Sequence, residues 1–395
     1  MFTHRQIFSM LTPLIMDTFF VTLIGMLTTA MISSSSQESV SAVSLVDPLY
    51  MMIYAVYNAI SAGGTVVIAQ YKGKGDMEKV KKTAGQLILA TPLSAIISAA
   101  ILILLANPLV NIMFNGVSDV VLDKTKDYLI GVAISMIFLA VYMSVFAVFR
   151  GLGENKKCLH LTVIINLLHF IASFVFINIM HLDILGSTLS LNLARFVGGA
   201  AAVFMLLSPK SVLHVQIKHI FCIDKKILWQ IFRVGIPFCM EQLFMNGGSM
   251  IVQIYTAQLG TVSVAANAVG SSAISLFYAA ASAVSTMAVT VVGQCVGSGD
   301  KKLAEWYGRK MVLLGTFMII ISFVIMVPCI DGILWLYQAP KNTLDIIYHL
   351  IGIIAIFMPF FWSVANIMPS IMRAAGDQCR QLKGNPTCTQ KIFVK

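Results

Sequence analysis

The stretch Gln70-Tyr71-Lys72-Gly73-Lys74-Gly75-Asp76 occurs a second time in related form. Gln294-Cys295-Val296-Gly297-Ser298-Gly299-Asp300 repeats its Gln, both Gly and the Asp at an offset of 224 residues. In both copies an apolar run ends at the Gln and a basic segment follows the Asp. The repetition predicts that the chain is built from two copies of one bundle.

Each Gly-x-Gly loop predicts a tight turn in which a Gly adopts positive φ and the Asp caps the next helix. A phosphate-binding loop is excluded, because no Gly-Lys-Ser/Thr follows and no strand precedes it. The chain also contains neither HExxH nor GxSxG. We therefore expect a protein that is not an enzyme.

Composition places the chain in a membrane. Its 395 residues are 58% hydrophobic and 11% charged, with a mean hydropathy of +0.86, whereas soluble domains carry about 25% charged residues. The apolar runs are too long and continuous for barrel strands, so each must span as a helix that pairs its own backbone groups. The seven scattered Cys form no CxxC, which argues against a disulfide framework or a metal site.

Ten spans are predicted, and alternate connections carry nearly all of the positive charge. The opposite connections carry only Lys124, Lys126 and Lys341. The positive-inside bias places the N-terminus and the Gly-x-Gly loops in the cytoplasm, and the net charge of +10 reflects topology rather than nucleic-acid binding. The predicted spans are 7–33, 43–71, 84–106, 128–149, 159–180, 185–207, 231–258, 265–295, 311–337 and 345–372.

The repeat extends beyond the loops. Pro13 corresponds to Pro237 and Asp17 to Glu241. The motif Arg-Gly-Leu-Gly-Glu at 150–154 corresponds, at an offset of 223, to Arg-Ala-Ala-Gly-Asp at 373–377. Each copy starts on the same side and holds an even number of spans, so we expect parallel bundles related by an axis along the membrane normal.

The predicted organisation is a six-helix lobe (1–208), a basic cytoplasmic linker (209–230), a second lobe (231–377) and an aberrant polar tail (378–395). The second copy lacks the apolar runs that the repeat predicts after residue 377. The expected fold is therefore an all-α polytopic membrane protein of two parallel six-helix bundles, with the second bundle truncated to about four helices.

Acidic residues are rare inside the predicted spans, and Asp17 and Glu241 are the clear cases. A carboxylate in the bilayer core costs about 2.5–3.5 kcal/mol on insertion scales and marks a functional site by default. Both are candidates for binding a coupling proton or Na⁺. The alternative is that each lies near the membrane interface and is simply solvated.

A polar stripe follows Glu241 on its helix. Gln242, Asn246 and Gln253 share one helical face, and Asn267 and Tyr278 belong to a similar stripe in the eighth span. Such stripes suit either a wet cavity or tight helix packing.

The first lobe contributes further polar candidates for the cavity: Asn58, Asn166, His169 and Arg195. A membrane-embedded Arg needs a partner, and Asp17 is one possibility for Arg195. His169 suits packing or a proton relay.

These motifs resemble the multidrug and toxic compound extrusion (MATE) family. The resemblance rests on the early Pro13 and Pro237, the paired Gln-x-x-Gly-x-Gly-Asp loops, the Arg-x-x-Gly-acid phrases and the small-residue stretch 186–195. It covers about 1–378. The resemblance implies two six-helix lobes around a central cavity, and exchange of organic, often cationic substrates for Na⁺ or H⁺ by rocking between two states.

The chain departs from the family pattern in three places. Thr28 and Thr29 stand where many members carry an Asp, and His169 and Phe170 stand where many carry an acid after the Asn. The last two helices of the family pattern are expected to be absent. The first two departures make Glu241 the leading coupling residue and Asp17 the second.

The leading hypothesis is thus a monomeric antiporter for small organic cations, with N-terminus inside, in the bacterial cytoplasmic membrane. It would use Na⁺ or H⁺ as coupling ion, with no other cofactor and no nucleic-acid partner. The alternatives are a lipid-linked or polysaccharide flippase, which would favour a cavity rich in Arg and Lys, and a non-transporting truncated remnant.

Overall fold

The computed structural model describes residues 2–33, 37–113, 119–208, 213, 215–216, 219–220, 222–259, 263, 266–267, 270–271, 274–275, 277–336 and 343–376. Within these residues the chain is helical and contains no strand. The helices are α1 (His4–Ser33), α2 (Gln37–Gly73), α3 (Met77–Leu104), α4 (Ala106–Met113), α5 (Asp119–Leu152), α6 (Asn155–Ser173), α7 (Asp183–Leu207), α8 (Lys225–Gln258), α9 (Ala279–Gly297), α10 (Lys301–Met326), α11 (Ile330–Leu336) and α12 (Leu344–Ala375). A π-helical segment, Phe174–Ile179, extends α6.

Nine helices in the described part of the chain are long and apolar enough to cross a membrane. The prediction of an all-α polytopic membrane protein is therefore confirmed. The seventh predicted span, 231–258, lies within α8, which has 34 residues but is not among the nine. The polar stripe that begins at Glu241 lowers the hydropathy of this helix.

The helices α8–α12 of the second half repeat the order of α1–α5 in the first. α2 ends at Gly73 and α9 at Gly297, and α3 and α10 each begin directly after the loop Asp. Even the short helix α4 has a counterpart, α11, that starts 224 residues later. The truncation of the second bundle stays a prediction, because residues 377–395, like several of the linker, lie outside the described part.

The second Gly of each loop makes the turn. Gly75 has a φ of 79° and Gly299 a φ of 84°, a region that favours Gly. Asp76 then accepts a hydrogen bond from the backbone N–H of Lys79 at 3.1 Å, and Asp300 accepts one from that of Leu303 at 2.9 Å. The predicted turns and caps are confirmed. Hydrogen bonds from the Lys79 side chain and backbone hold the pKa of Asp76 below its usual range.

The first Gly of each loop allows the backbones of the two halves to come into contact. A Cβ on Gly73 would overlap the carbonyl oxygen of Gln294, and a Cβ on Gly297 would overlap that of Gln70. The ends of α2 and α9 therefore meet backbone to backbone, which only Gly allows.

The two loop glutamines tie the same ends together. The Nε2 of Gln70 donates to the carbonyl oxygen of Ala374 at 2.8 Å, and the Nε2 of Gln294 donates to that of Gly151 at 3.1 Å. Each bond crosses from one half to the other, and the two bonds are images of each other under the repeat. We call this set of contacts the loop-end junction.

Substitution of either junction Gly is expected to destabilise the protein. In G73A and G297A the new methyl group must push the two backbones apart, and overpacking of this kind costs about 1–3 kcal/mol. The measurement is thermal unfolding of the detergent-purified chain.

The matched control is G352A in α12, where a Cβ meets nothing within 4 Å. Ala favours a helix over Gly by about 1 kcal/mol, so this variant should match or exceed the parent. Equal melting temperatures for all three variants would show that the halves are not in close contact here.

Candidate functional site

A cavity of about 500 Å³ lies between the two halves. Its walls come from α1, α2, α5 and α6 of the first half and from α8, α9 and α12 of the second. Both membrane carboxylates that the sequence singled out lie on these walls. The polar or charged residues that line the cavity are Asp17, Thr18, Thr22, Tyr54, Asn58, Ser61, Thr65, Tyr142, Arg150, Thr162, Asn166, Glu241, Gln242, Ser282, Ser285, Thr286, Trp362, Asn366, Ser370 and Arg373.

In the first half, Asp17 of α1 pairs with an arginine of α5. The Nη2 of Arg150 lies 2.9 Å from Oδ2 of Asp17. The hydroxyl of Thr162 donates to the other carboxylate oxygen. Only 5% of the Asp17 side chain is exposed, against 32% of the Arg150 side chain. The carboxylate is thus the enclosed member of this pair.

In the second half, Glu241 of α8 pairs with an arginine of α12. The Nη1 of Arg373 lies 3.0 Å from Oε2 of Glu241, and its Nη2 donates to the hydroxyl of Ser370 at 2.5 Å. The guanidinium also lies 4.1 Å from the ring centre of Phe238. Here 31% of the Glu241 side chain is exposed and 10% of the Arg373 side chain. The carboxylate is now the accessible member.

The two ion pairs are equivalent under the repeat. Asp17 and Glu241 differ by 224 positions, and Arg150 and Arg373 by 223. The repeat also relates Asn58 and Ser61 on α2 to Ser282 and Ser285 on α9, and all four line the cavity. The site is therefore a duplicated constellation whose two copies differ in which charge is accessible.

Other predicted residues join this site. Gln242, Asn58 and Asn166 line the cavity together with the two acids. The Nδ2 of Asn166 donates to the backbone carbonyl of Thr162 at 2.9 Å, one turn earlier in α6. These residues surround the carboxylates with amide groups that can rearrange their hydrogen bonds.

Four predicted residues lie elsewhere. Asn246 and Gln253 are exposed on α8 beyond the cavity. Asn267, in a partly described segment, is half-buried and does not line the cavity. Tyr278 stands behind the wall, where its ring stacks on that of Trp362 with centres 5.7 Å apart.

His169 and Arg195 also lie off the cavity wall. His169 is half-buried on α6. Arg195 donates to the hydroxyls of Ser135 at 2.6 Å and Tyr50 at 2.9 Å. The suggested pairing of Arg195 with Asp17 is therefore wrong, because Asp17 is bound to the arginine of α5.

Sequence reasoning missed the two arginines of the site. It ended the fourth and tenth spans at 149 and 372 and assigned Arg150 and Arg373 to loops, whereas α5 and α12 continue to Leu152 and Ala375. The internal repeat contained a signal that could have identified both arginines. Both arginines recur in the same register as the acids, and a membrane-embedded acid requires a counter-charge.

A metal centre finds no support in the part of the chain that is described. Those residues contain no group of three or more His, Cys, Asp or Glu able to hold a metal ion. A single carboxylate next to an arginine suits a proton or a weakly held monovalent cation better than a transition metal.

Comparisons with known proteins agree with this architecture. The chain is 22% identical over 385 residues to the probable multidrug resistance protein NorM of Thermotoga maritima, covering 95% of this chain and 80% of that protein. It is 27% identical over 259 residues to the uncharacterized transporter YisQ of Bacillus subtilis, covering 65% of this chain but only 56% of YisQ.

Solved structures show the same fold. The Vibrio cholerae MATE transporter VcmN in its bent form matches with a TM-score of 0.82 at 19% identity, over 99% of this chain and 87% of that one. An outward-facing multidrug resistance MATE family transporter matches with a TM-score of 0.84 at 17% identity, over 96% and 84%.

The family model named MatE matches residues 13–175 and 237–385, which are most of the chain. Each matched segment contains one of the two carboxylate–arginine pairs, and each begins at the proline of its first helix. The chain belongs to the MatE family.

Proposed function

We propose that this chain exports small organic, often cationic compounds, in exchange for H⁺ or Na⁺ that binds at Glu241. The observation that carries the proposal is the position of Glu241. Its side chain is partly exposed in a cavity between two halves of a MatE-family membrane protein, and it is held by one breakable ion pair. Relatives named as multidrug resistance and multidrug export proteins support the substrate class.

The ion pair gives a physical basis for coupling. A proton on Glu241 removes its negative charge, and Na⁺ competes for the same oxygens, so either ion weakens the bond to Arg373. The freed guanidinium keeps two neighbours, the Ser370 hydroxyl and the Phe238 ring. Ion binding therefore loosens α8 from α12 without leaving the arginine unpartnered.

Asp17 suits such a role less well. Its carboxylate is nearly enclosed and bound by both Arg150 and Thr162, so an ion must displace two partners to reach it. We assign it mainly to holding α1 against α5 and α6, and rank it second as a coupling residue.

The wall chemistry supports an organic cation better than a polyphosphate lipid. The aromatic rings of Tyr54, Tyr142 and Trp362 offer cation–π surfaces, and the volume suits a drug-sized ligand. Both lining arginines are already neutralised by carboxylates. A flippase for anionic lipids would gain little from them, and no feature of the described cavity favours that alternative.

The remaining features follow from the same proposal. The loop-end junction would face the cytoplasm of a bacterial cell, the N-terminus would lie on that side, and the protein would work as a monomer. Transport would then require the halves to rock so that the cavity meets each side in turn.

E241Q is expected to lose coupled transport while it folds normally. The amide cannot take up a proton and carries no negative charge to balance Na⁺. Gradient-driven uptake of a fluorescent organic cation into everted vesicles should therefore fall at least about tenfold. A tenfold loss corresponds to about 1.4 kcal/mol of ion-binding free energy. Separate H⁺ and Na⁺ gradients identify the coupling ion.

The control for this experiment is E305Q, because Glu305 is exposed on α10 outside the cavity. It should transport like the parent. Unchanged transport by E241Q at normal expression would exclude Glu241 as the coupling residue.

D17N is expected to destabilise the protein. It leaves the Arg150 guanidinium without its counter-charge, and because 32% of that side chain is exposed, the cost should be lower than the value of about 3–5 kcal/mol for a fully buried pair that loses one partner. The double variant D17N/R150M removes both charges and should recover much of the melting temperature in detergent. A double variant no more stable than D17N would contradict the assigned structural role.

A further inference from the structure

A second pocket, separate from the central cavity, lies between the start of α1 and the first half of α10 and has a volume of about 660 Å³. Its walls are almost entirely apolar. Ile7, Phe8 and Leu11 contribute from α1, and Leu313, Leu314 and Phe317 contribute from α10. The pocket therefore joins the first half of the protein to the second. We call it the seam groove.

One end of the seam groove is closed by the first residues of the chain. The backbone N–H of Phe2 donates to the hydroxyl of Tyr307 at 2.9 Å, and that hydroxyl donates to the Phe2 carbonyl at 2.9 Å. The two rings also meet edge to face, with centres 5.8 Å apart. Because Tyr307 is fully buried, this contact fixes the groove at its polar end.

The groove changes from polar to apolar along α10. At its closed end the exposed Lys310 lies with its Nζ 3.8 Å from the ring centre of Trp306. Phe317 lies seven residues further along the same face, about 10 Å deeper. A cation and an amphipathic ring above an apolar slot are the arrangement by which proteins meet the headgroup region of a membrane.

The surface around this end is positively charged. Arg5, Lys301 and Lys302 are exposed near the starts of α1 and α10. The exposed acids at this end are Asp300, which caps α10, and Glu305 in its first turns. The excess of cations complements an anionic headgroup, whereas the apolar walls below complement a hydrocarbon chain.

We propose that the seam groove binds an anionic glycerophospholipid. Its phosphate would lie against Lys310 and Trp306, and one acyl chain would lie between Phe8, Leu313 and Phe317. Since α1 and α10 belong to different halves, the bound lipid contacts both, and its occupancy depends on their relative position.

The test is lipid binding by the purified full chain, measured by native mass spectrometry and by the melting temperature in detergent. Phosphatidylglycerol should bind and stabilise the parent more than phosphatidylcholine does. K310Q should bind phosphatidylglycerol about fivefold more weakly, the effect of about 1 kcal/mol per basic residue at a membrane surface. K310R should retain the preference.

The control variant is K156Q, which removes an exposed charge from α6, away from the groove and from the cations around it. It should bind like the parent, and soluble glycerol phosphate should give no shift. Equal losses in K156Q and K310Q, equal binding of the two lipids by the parent, or a full shift with glycerol phosphate would each overturn the proposal. None of these readouts needs transport, so the result is independent of the proposed function.

Discussion

A charged side chain inside a membrane needs an oppositely charged partner in direct contact with it. One carboxylate–arginine pair in each half satisfies this constraint. Asp17 with Arg150 and Glu241 with Arg373 join the first helix of a half to its fifth. All four residues of these pairs line the cavity between the halves. Each pair therefore brings a positive and a negative charge together at the cavity wall, so that neither stands there alone.

The two pairs are built alike but expose opposite members. The first half encloses its acid and exposes its arginine, whereas the second exposes its acid and encloses its arginine. The enclosed member of each pair has a second hydrogen-bond partner, which is Thr162 for the acid of the first half and Ser370 for the arginine of the second. Under the proposed function, the pair of the first half would hold its helices together and the pair of the second half would respond to the coupling ion.

Local features of this fold follow directly from sequence. The turns at Gly75 and Gly299 and the caps at Asp76 and Asp300 depend on a few neighbouring residues, so the motif predicts them. Arg150 was harder to interpret, because its partner is 133 positions away and chain order does not show which helices touch. The repeat could have revealed it, since the arginines recur with the acids.

The position of the cavity along the length of a helix is the other property that sequence could not supply. Spacing placed Gln242, Asn246 and Gln253 on one side of α8, yet only the first of the three reaches the cavity. The reason is that the cavity occupies a limited length of the helix, and periodicity gives an angle around the axis but no depth along it.

The reciprocal glutamine bonds also constrain any relative rotation of the two halves. Gln70 and Gln294 donate across the boundary between the halves, each from one half to the other, so a rotation that opens this end strains both bonds. In the proposed transport cycle, the halves would have to break both bonds together at this end. Such a closure would act as a switch with a threshold rather than as a spring.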